Sequence, residues 1–132
     1  NRADGTVKKD DKTIFAGGEN NIAVFSLDGA SGEPTLIQHV DTHGIEARTF
    51  AVDASGTILI VANQKSMLVE DGNELKSVDA NFSLFRIGQD GRLEFIRKYD
   101  VNANDKWLLW MDVLDGKPSS SKHLGNKQLG SH

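Results

Sequence analysis

His43, Glu46 and Arg48 fall within six positions of one another in the stretch HGIEAR. An imidazole titrates near neutrality and moves protons readily. A carboxyl group whose pKa is raised by burial can serve as a base. A guanidinium stabilises negative charge and grips anions through its forked donors. The three together read as the rim of an active site. The competing reading is a solvated loop in which Arg48 pairs with Glu46 or another surface carboxylate. Asn63 and Gln64 close an apolar run. Their amide heads suit either sugar hydroxyls or the capping of the loop that follows.

These residues are placed by short strands separated by Gly and Asp turns. The His43–Arg48 loop leads into RTFAVDA, which joins TILIVAN through Ala54-Ser55-Gly56. Upstream, Asn21–Asp28 carries Ile22 and Val24 on one face and Ala23, Phe25 and Leu27 on the other. Two apolar faces predict a strand buried between layers. DGASGEP is a turn cluster, followed by the more polar strand TLIQHVDT, where His39 reads as structural. The polar, acid-rich segment Ser66–Asp79 is expected to be a long loop with a helical turn. NFSLFRIG and LEFIRKYDV flank a tight turn at Gln89-Asp90-Gly91. In the second of these, Leu93, Phe95 and Tyr99 alternate with Glu94 and Lys98, as a half-exposed outer strand would. DKWLLWMDV suits a helical turn or a strand; its aromatic and β-branched content favours the strand, with Trp107 and Trp110 as packing residues.

The chain repeats itself. NNIAVFSLDGASGEPTLIQHVDT and ANFSLFRIGQDGRLEFIRKYDV share a strand-turn-strand plan, with Ile22 aligned to Phe82 at a period of 60 residues. Without the 14-residue segment Ser66–Asp79, the unit shrinks to about 45 residues, the spacing of β-propeller blades. The expected fold is all-β, a partial β-propeller of about two four-stranded antiparallel blades. Residues 1–116 would form it, with blades at about 13–53 and 47–101 sharing boundary strands and a final strand at 105–113. Residues 117–132 are expected to be a disordered tail or an appended remnant.

Composition narrows the function classes. The 132 residues suit one small domain, and 38% are hydrophobic, enough for a packed core. The longest apolar run, Ile58–Ala62, is too short to span a bilayer, so no membrane is expected. There is no cysteine, which removes disulfides, thiolate metal sites and cysteine nucleophiles and is compatible with a reducing, cytoplasmic setting. The net charge of −4 divides into −7 over the first 116 residues and +3 over the tail, where Lys117, Lys122 and Lys127 meet no acid. Dispersed basic residues argue against nucleic acid as a partner. GGEN (Gly17–Asn20) lacks the spacing of a phosphate loop. Asp10-Asp11 and Glu70-Asp71 do not form a calcium ladder, and the histidines are not spaced as metal ligands. No cofactor is expected. Asn1 at the start is expected of a processed or excised chain, or of a piece of a longer one.

The stretch NNIAVFSLDGASGEPTLIQHVDTHGIEARTFAVDASGTILIVANQ resembles a blade of the lactonase family of seven-bladed β-propellers, the 6-phosphogluconolactonase type. FRIGQDGRLEFIRKYDV resembles the last complete blade of that family. The resemblance runs from about Ala16 to Val113. It implies a metal-independent lactone-ring hydrolase or a close relative in carbohydrate metabolism. It also implies a site at the ends of inner strands, here His43–Arg48. Lactone hydrolysis needs an activated water and positive charge beside the carbonyl oxygen. Arg48 is then the candidate electrophile or phosphate anchor, Glu46 and His43 the candidate bases, and Asn63 and Gln64 the candidate substrate-binding residues. The family usually shows His-Pro-Arg before the inner strand; the same positions here are Glu46, Ala47 and Arg48, so the arginine is kept and the imidazole is not. About two and a half blades would also leave edge strands unpaired, so self-association is expected. The alternative is a non-catalytic binding or assembly module built from the same blades.

Overall fold

Runs of β-branched and aromatic residues between Asp and Gly turns form strands. The computed structural model describes residues 1–102, 111–114 and 116, and those residues form ten strands and no helix. They are β1 (Thr6–Lys9), β2 (Lys12–Phe15), β3 (Asn21–Leu27), β4 (Pro34–Asp41), β5 (Ile45–Val52), β6 (Ile58–Lys65), β7 (Met67–Asp71), β8 (Glu74–Val78), β9 (Asn81–Ile87) and β10 (Leu93–Asp100).

The all-β partial propeller is what the strands build. β5, β6, β9 and β10 form one antiparallel sheet in the order β10-β9-β6-β5. β3 and β4 form a separate two-stranded hairpin. The third sheet, β1-β2-β7-β8, joins two hairpins through a parallel bridge at Ile14 and Leu68. β5 pairs with β6 and lies in the sheet of the second unit, not with β3 and β4.

The core lies between the large sheet and the β3–β4 hairpin. Leu59, Val61, Phe85 and Leu93 are buried, and Ile22, Val24 and Val40 pack on them from the hairpin. Phe85 meets Phe95 in a tilted pair at 5.7 Å. Gln38 fastens the two layers: its amide donates to the Leu93 carbonyl at 2.8 Å and its oxygen accepts from the Leu93 amide at 2.7 Å. Such a side chain replaces a missing strand partner.

Three sequence expectations change. Ser66–Asp79 is mostly the β7–β8 hairpin, not a loop with a helical turn. Its polarity reflects an exposed ribbon, and Asp71-Gly72 begins its turn, with Gly72 at φ 63°. β3 is covered on one face only. Phe25 and Leu27 remain 51% and 69% exposed, since no described strand pairs beyond this hairpin. In β10 the alternation breaks at a bulge between Phe95 and Arg97, which turns Tyr99 to the opposite face from Leu93 and Phe95. The proposed final strand falls mostly on 105–110, and the proposed tail on 117–132. Both segments lie outside the described residues, while 111–113 carry no strand.

Carboxylates tie the turns. Asp28 Oδ1 accepts from the amides of Ala30 and Ser31, and Asp53 Oδ1 from those of Thr57 and Ile58. The Ser31 and Ala30 amides hold the Asp28 carboxyl below its ordinary value; for Asp53 the Ser55 hydroxyl is the main cause, followed by the Ile58 amide. These bonds offer the backbone a local partner where the ladder ends.

Candidate functional site

The loop between β4 and β5 turns sharply, and two non-glycine residues take left-handed backbone to make it: His43 at φ 59° and Glu46 at φ 55°. Such conformations store strain and persist only where surrounding bonds impose them. Asp41 Oδ1 accepts from the His43 amide at 2.6 Å. Asn20 Oδ1 accepts from the Glu46 amide at 2.9 Å and also from the Ala3 amide, which pins the N-terminal segment to the loop. Gly44 is required by space: a Cβ there would sit 2.5 Å from the Asn63 side chain.

Glu46 is 8% exposed. The Gln64 amide donates to its Oε2 at 2.9 Å, Lys65 Nζ lies 3.2 Å from the same oxygen, and Arg2 lies 3.7 Å from Oε1. Lys65 also pairs with Asp4. The hydrogen bond that Lys65 donates to Asp4, with help from Glu46, raises the Lys65 pKa above its ordinary value, and Lys65 in turn lowers that of Asp4. Glu46 is thus a fixed acceptor between two cations.

Arg48 sits at a bulge. The β5–β6 register passes from Ala47 opposite Asn63 to Thr49 opposite Ala62, leaving Arg48 between them. A bulge re-aims a side chain. Arg48 is exposed, makes no ion pair among the described residues, and lines a cavity of about 410 Å³ with Arg2, Asn21, Ile22, Thr49 and Phe50. Two arginines therefore line one cavity, together with the apolar side chains of Ile22 and Phe50.

His43 lies elsewhere. Its ring stacks on Phe95 at 3.8 Å and 17°, and it lines a second cavity of about 320 Å³ with Asp41, Asn20 and Lys98. Asn63 and Gln64 are 0% and 1% exposed. Asn63 donates to the Thr42 carbonyl and to Asn81 Oδ1, each at 2.8 Å. Ser83 adds a bond to the same Thr42 carbonyl at 2.7 Å. These buried polar groups hold the loop down, although Asn63 Oδ1 and Gln64 Oε1 have no hydrogen-bond partner among the described residues. Of the five sequence candidates, the structure joins Glu46 to Gln64 and leaves Arg48 and His43 in different cavities.

Sequence reasoning missed Arg2, Lys65 and Asn20. Lys65 directly follows Gln64 at the strand end, which was the available signal. Asn20 lies in the GGEN stretch, whose role is to anchor the loop. Nothing in its neighbours marked Arg2.

The model of a family described as Lactonase, 7-bladed beta-propeller, matches residues 2–71. A 6-phosphogluconolactonase of Formosa agariphila is 40% identical over 68 residues, covering 48% of this chain and 19% of that protein. The chain thus spans about a fifth of the length of the curated relative it matches. No solved structure matches.

Proposed function

Because the chain belongs to the lactonase family of seven-bladed β-propellers, we propose that it serves the hydrolysis of a sugar lactone of the 6-phosphogluconolactone type. The carrying observation is that Arg48, which makes no ion pair among the described residues, lines the same cavity of about 410 Å³ as Arg2. Water adds to the lactone carbonyl carbon, the carbonyl oxygen takes up negative charge, and the ring C–O bond then breaks to give a hydroxy acid. A guanidinium aimed at that oxygen, or at a phosphate on the substrate, stabilises the charged species. Arg2 bridges the cavity and the buried carboxylate, which makes Glu46 a positioning residue for Arg2 in this scheme. Asn63 and Gln64 would support the loop beneath the sugar, and His43 would stand at the neighbouring cavity. A cytoplasmic role in carbohydrate metabolism accompanies this reading.

The test is acid release from gluconolactone and its 6-phosphate at constant pH, measured against spontaneous opening. Turnover above the spontaneous rate, lost in Arg48→Ala, is expected. Undiminished turnover in that variant would remove Arg48 from the chemistry. A second reading, a non-catalytic binding or assembly module, draws on one observation: Glu46 is engaged by Gln64 and Lys65, and His43 lines a different cavity from Arg48. Saturable lactone binding with opening only at the spontaneous rate would establish it.

A further inference from the structure

The second cavity, of about 320 Å³, is framed by three parts of the chain. Asp41 and His43 come from the end of β4 and the loop after it, and Lys98 from β10. The mixed sheet supplies Phe15, Val69 and Val78. Neither Arg2 nor Arg48 lines it.

Its apolar wall is the face of a ribbon. Phe15 and Val69 directly follow Ile14 and Leu68, the residues of the parallel bridge, so both stand on the face opposite to that pair. Val78 lies opposite Met67, two positions from Val69, and shares the same face. All three are half-buried. A pleated ribbon is broad and flat, and it offers cover to a flat array of C–H groups and not a pit for a projecting chain.

The polar groups have hydrogen-bonding capacity to spare. Asp41 Oδ1 accepts from the His43 amide, while Oδ2 has no partner among the described residues. The His43 ring stacks on Phe95, and its nitrogens have no hydrogen-bond partner among the described residues. Lys98 makes an exposed ion pair with Asp100 at 3.5 Å. An acceptor, a donor and a ring able to do either are what a set of hydroxyl groups needs.

We infer that this cavity is a second binding site, which takes one uncharged monosaccharide in its pyranose form. A pyranose has a flat C–H face for the ribbon and a rim of hydroxyls for Asp41, His43 and Lys98. The volume is at the small end of ligand pockets, the size for one sugar ring. The charges of Asp41 and Lys98 cancel, so nothing here draws a phosphate as the paired arginines of the first cavity do. The walls are also fixed in advance. Asn20, which lines the cavity, is held by the amides of Ala3 and Glu46, and stacking holds His43 in its left-handed backbone. Little is left to order when a ligand arrives. The inference does not depend on lactone hydrolysis, and its test measures no turnover.

The test is nuclear magnetic resonance on the full chain with the methyl pyranosides of glucose, galactose and mannose. At least one should shift the amides of Asp41, His43, Val69, Val78 and Lys98, and its ring C–H protons should receive saturation from the protein. Asp41→Asn keeps the acceptor for the His43 amide but removes the free one, and should weaken binding about fivefold to tenfold, the worth of one hydrogen bond. Lys98→Met should weaken it to a similar degree, and Val78→Trp should abolish it by filling the cavity. Far-UV circular dichroism checks that each variant keeps its strands. No shift with any of the three sugars would overturn the inference. So would shifts centred on Arg48 and lost in Arg48→Ala, which would put the sugar in the first cavity. Binding of leucine in place of the sugars would also overturn it and make the cavity an amino-acid site, with Asp41 and Lys98 holding the two charged ends.

Discussion

The Gln64 side-chain amide donates to Glu46 Oε2 at 2.9 Å, joining the end of one central strand to a carboxylate held in left-handed backbone. Both residues are nearly inaccessible to water, so solvent does not readily replace Glu46 as the acceptor for the Gln64 amide. Replacing Glu46 with Ala should therefore cost about 1–3 kcal/mol, the usual penalty for stranding a buried donor. Urea unfolding monitored by circular dichroism measures this, and an unchanged midpoint would mean that Gln64 and Lys65 find other acceptors.

Gly44→Ala probes the same loop through sterics. The added Cβ would lie 2.5 Å from Asn63 Cβ and Cγ, and Asn63 is fully buried. The loop or the strand must shift, at a cost of about 1–3 kcal/mol as for other overpacked sites. The companion Asn63→Gly, Gly44→Ala double variant removes every clashing side-chain atom and should recover part of the loss, and a non-additive cycle is the measurement that checks it.

Phe85 carries the core between the two layers. It is fully buried and touches Phe95. Phe85→Ala should destabilise the chain by about 3–5 kcal/mol. A loss under 1 kcal/mol in a denaturant titration would show that the β3–β4 hairpin collapses into the space.

The turn at Asp53 makes stability depend on acid. The Ser55 hydroxyl and then the Ile58 amide hold the Asp53 carboxyl below its ordinary value of 3.8. A lowered folded pKa stabilises the fold fully above the unfolded value, and this contribution disappears as pH falls through the folded value. Asp53→Ala should therefore lower stability at neutral pH and flatten the decline below about pH 4. Unfolding midpoints at a series of pH values test this, and parallel acid limbs for the two proteins would reject it.

Lys65 gives the opposite limb. Its raised pKa, caused mainly by Asp4, stabilises the fold below 10.5, and the contribution is lost as pH rises through the folded value. Lys65→Met should leave a shallower alkaline decline, read from thermal melts between neutral and strongly alkaline pH.

Much of the strand plan was legible because turn chemistry marks it. Asp53, Asp90 and the glycines beside them sit where the chain reverses, and apolar runs such as Ile58–Ala62 lie between. The β7–β8 ribbon was not legible, because an exposed hairpin lacks the apolar alternation that signals a strand resting on a core. The exposure of Phe25 and Leu27 was hidden for the converse reason: apolar residues on both faces predict two covering layers, and the chain places only one there. At the site, the loop itself was readable from His43, Glu46 and Arg48. Its internal wiring was not, since Arg2 and Asn20 reach it from segments some 26 to 44 positions away in sequence. The separation of Arg48 from His43 follows from a bulge and two left-handed residues, which residue types alone do not announce.

The parallel bridge between β2 and β7 has a consequence for how the chain comes apart. In most tandem architectures neighbouring modules meet at one interface, and each can fray once that interface opens. Here adjoining modules are stitched twice, once through the Val61–Phe85 core and once through the ribbon outside it. Opening either seam leaves the other closed, so the two modules should exchange their amide hydrogens as one cooperative block, with fraying beginning at β1 and β8, the outer strands of the ribbon among the described residues.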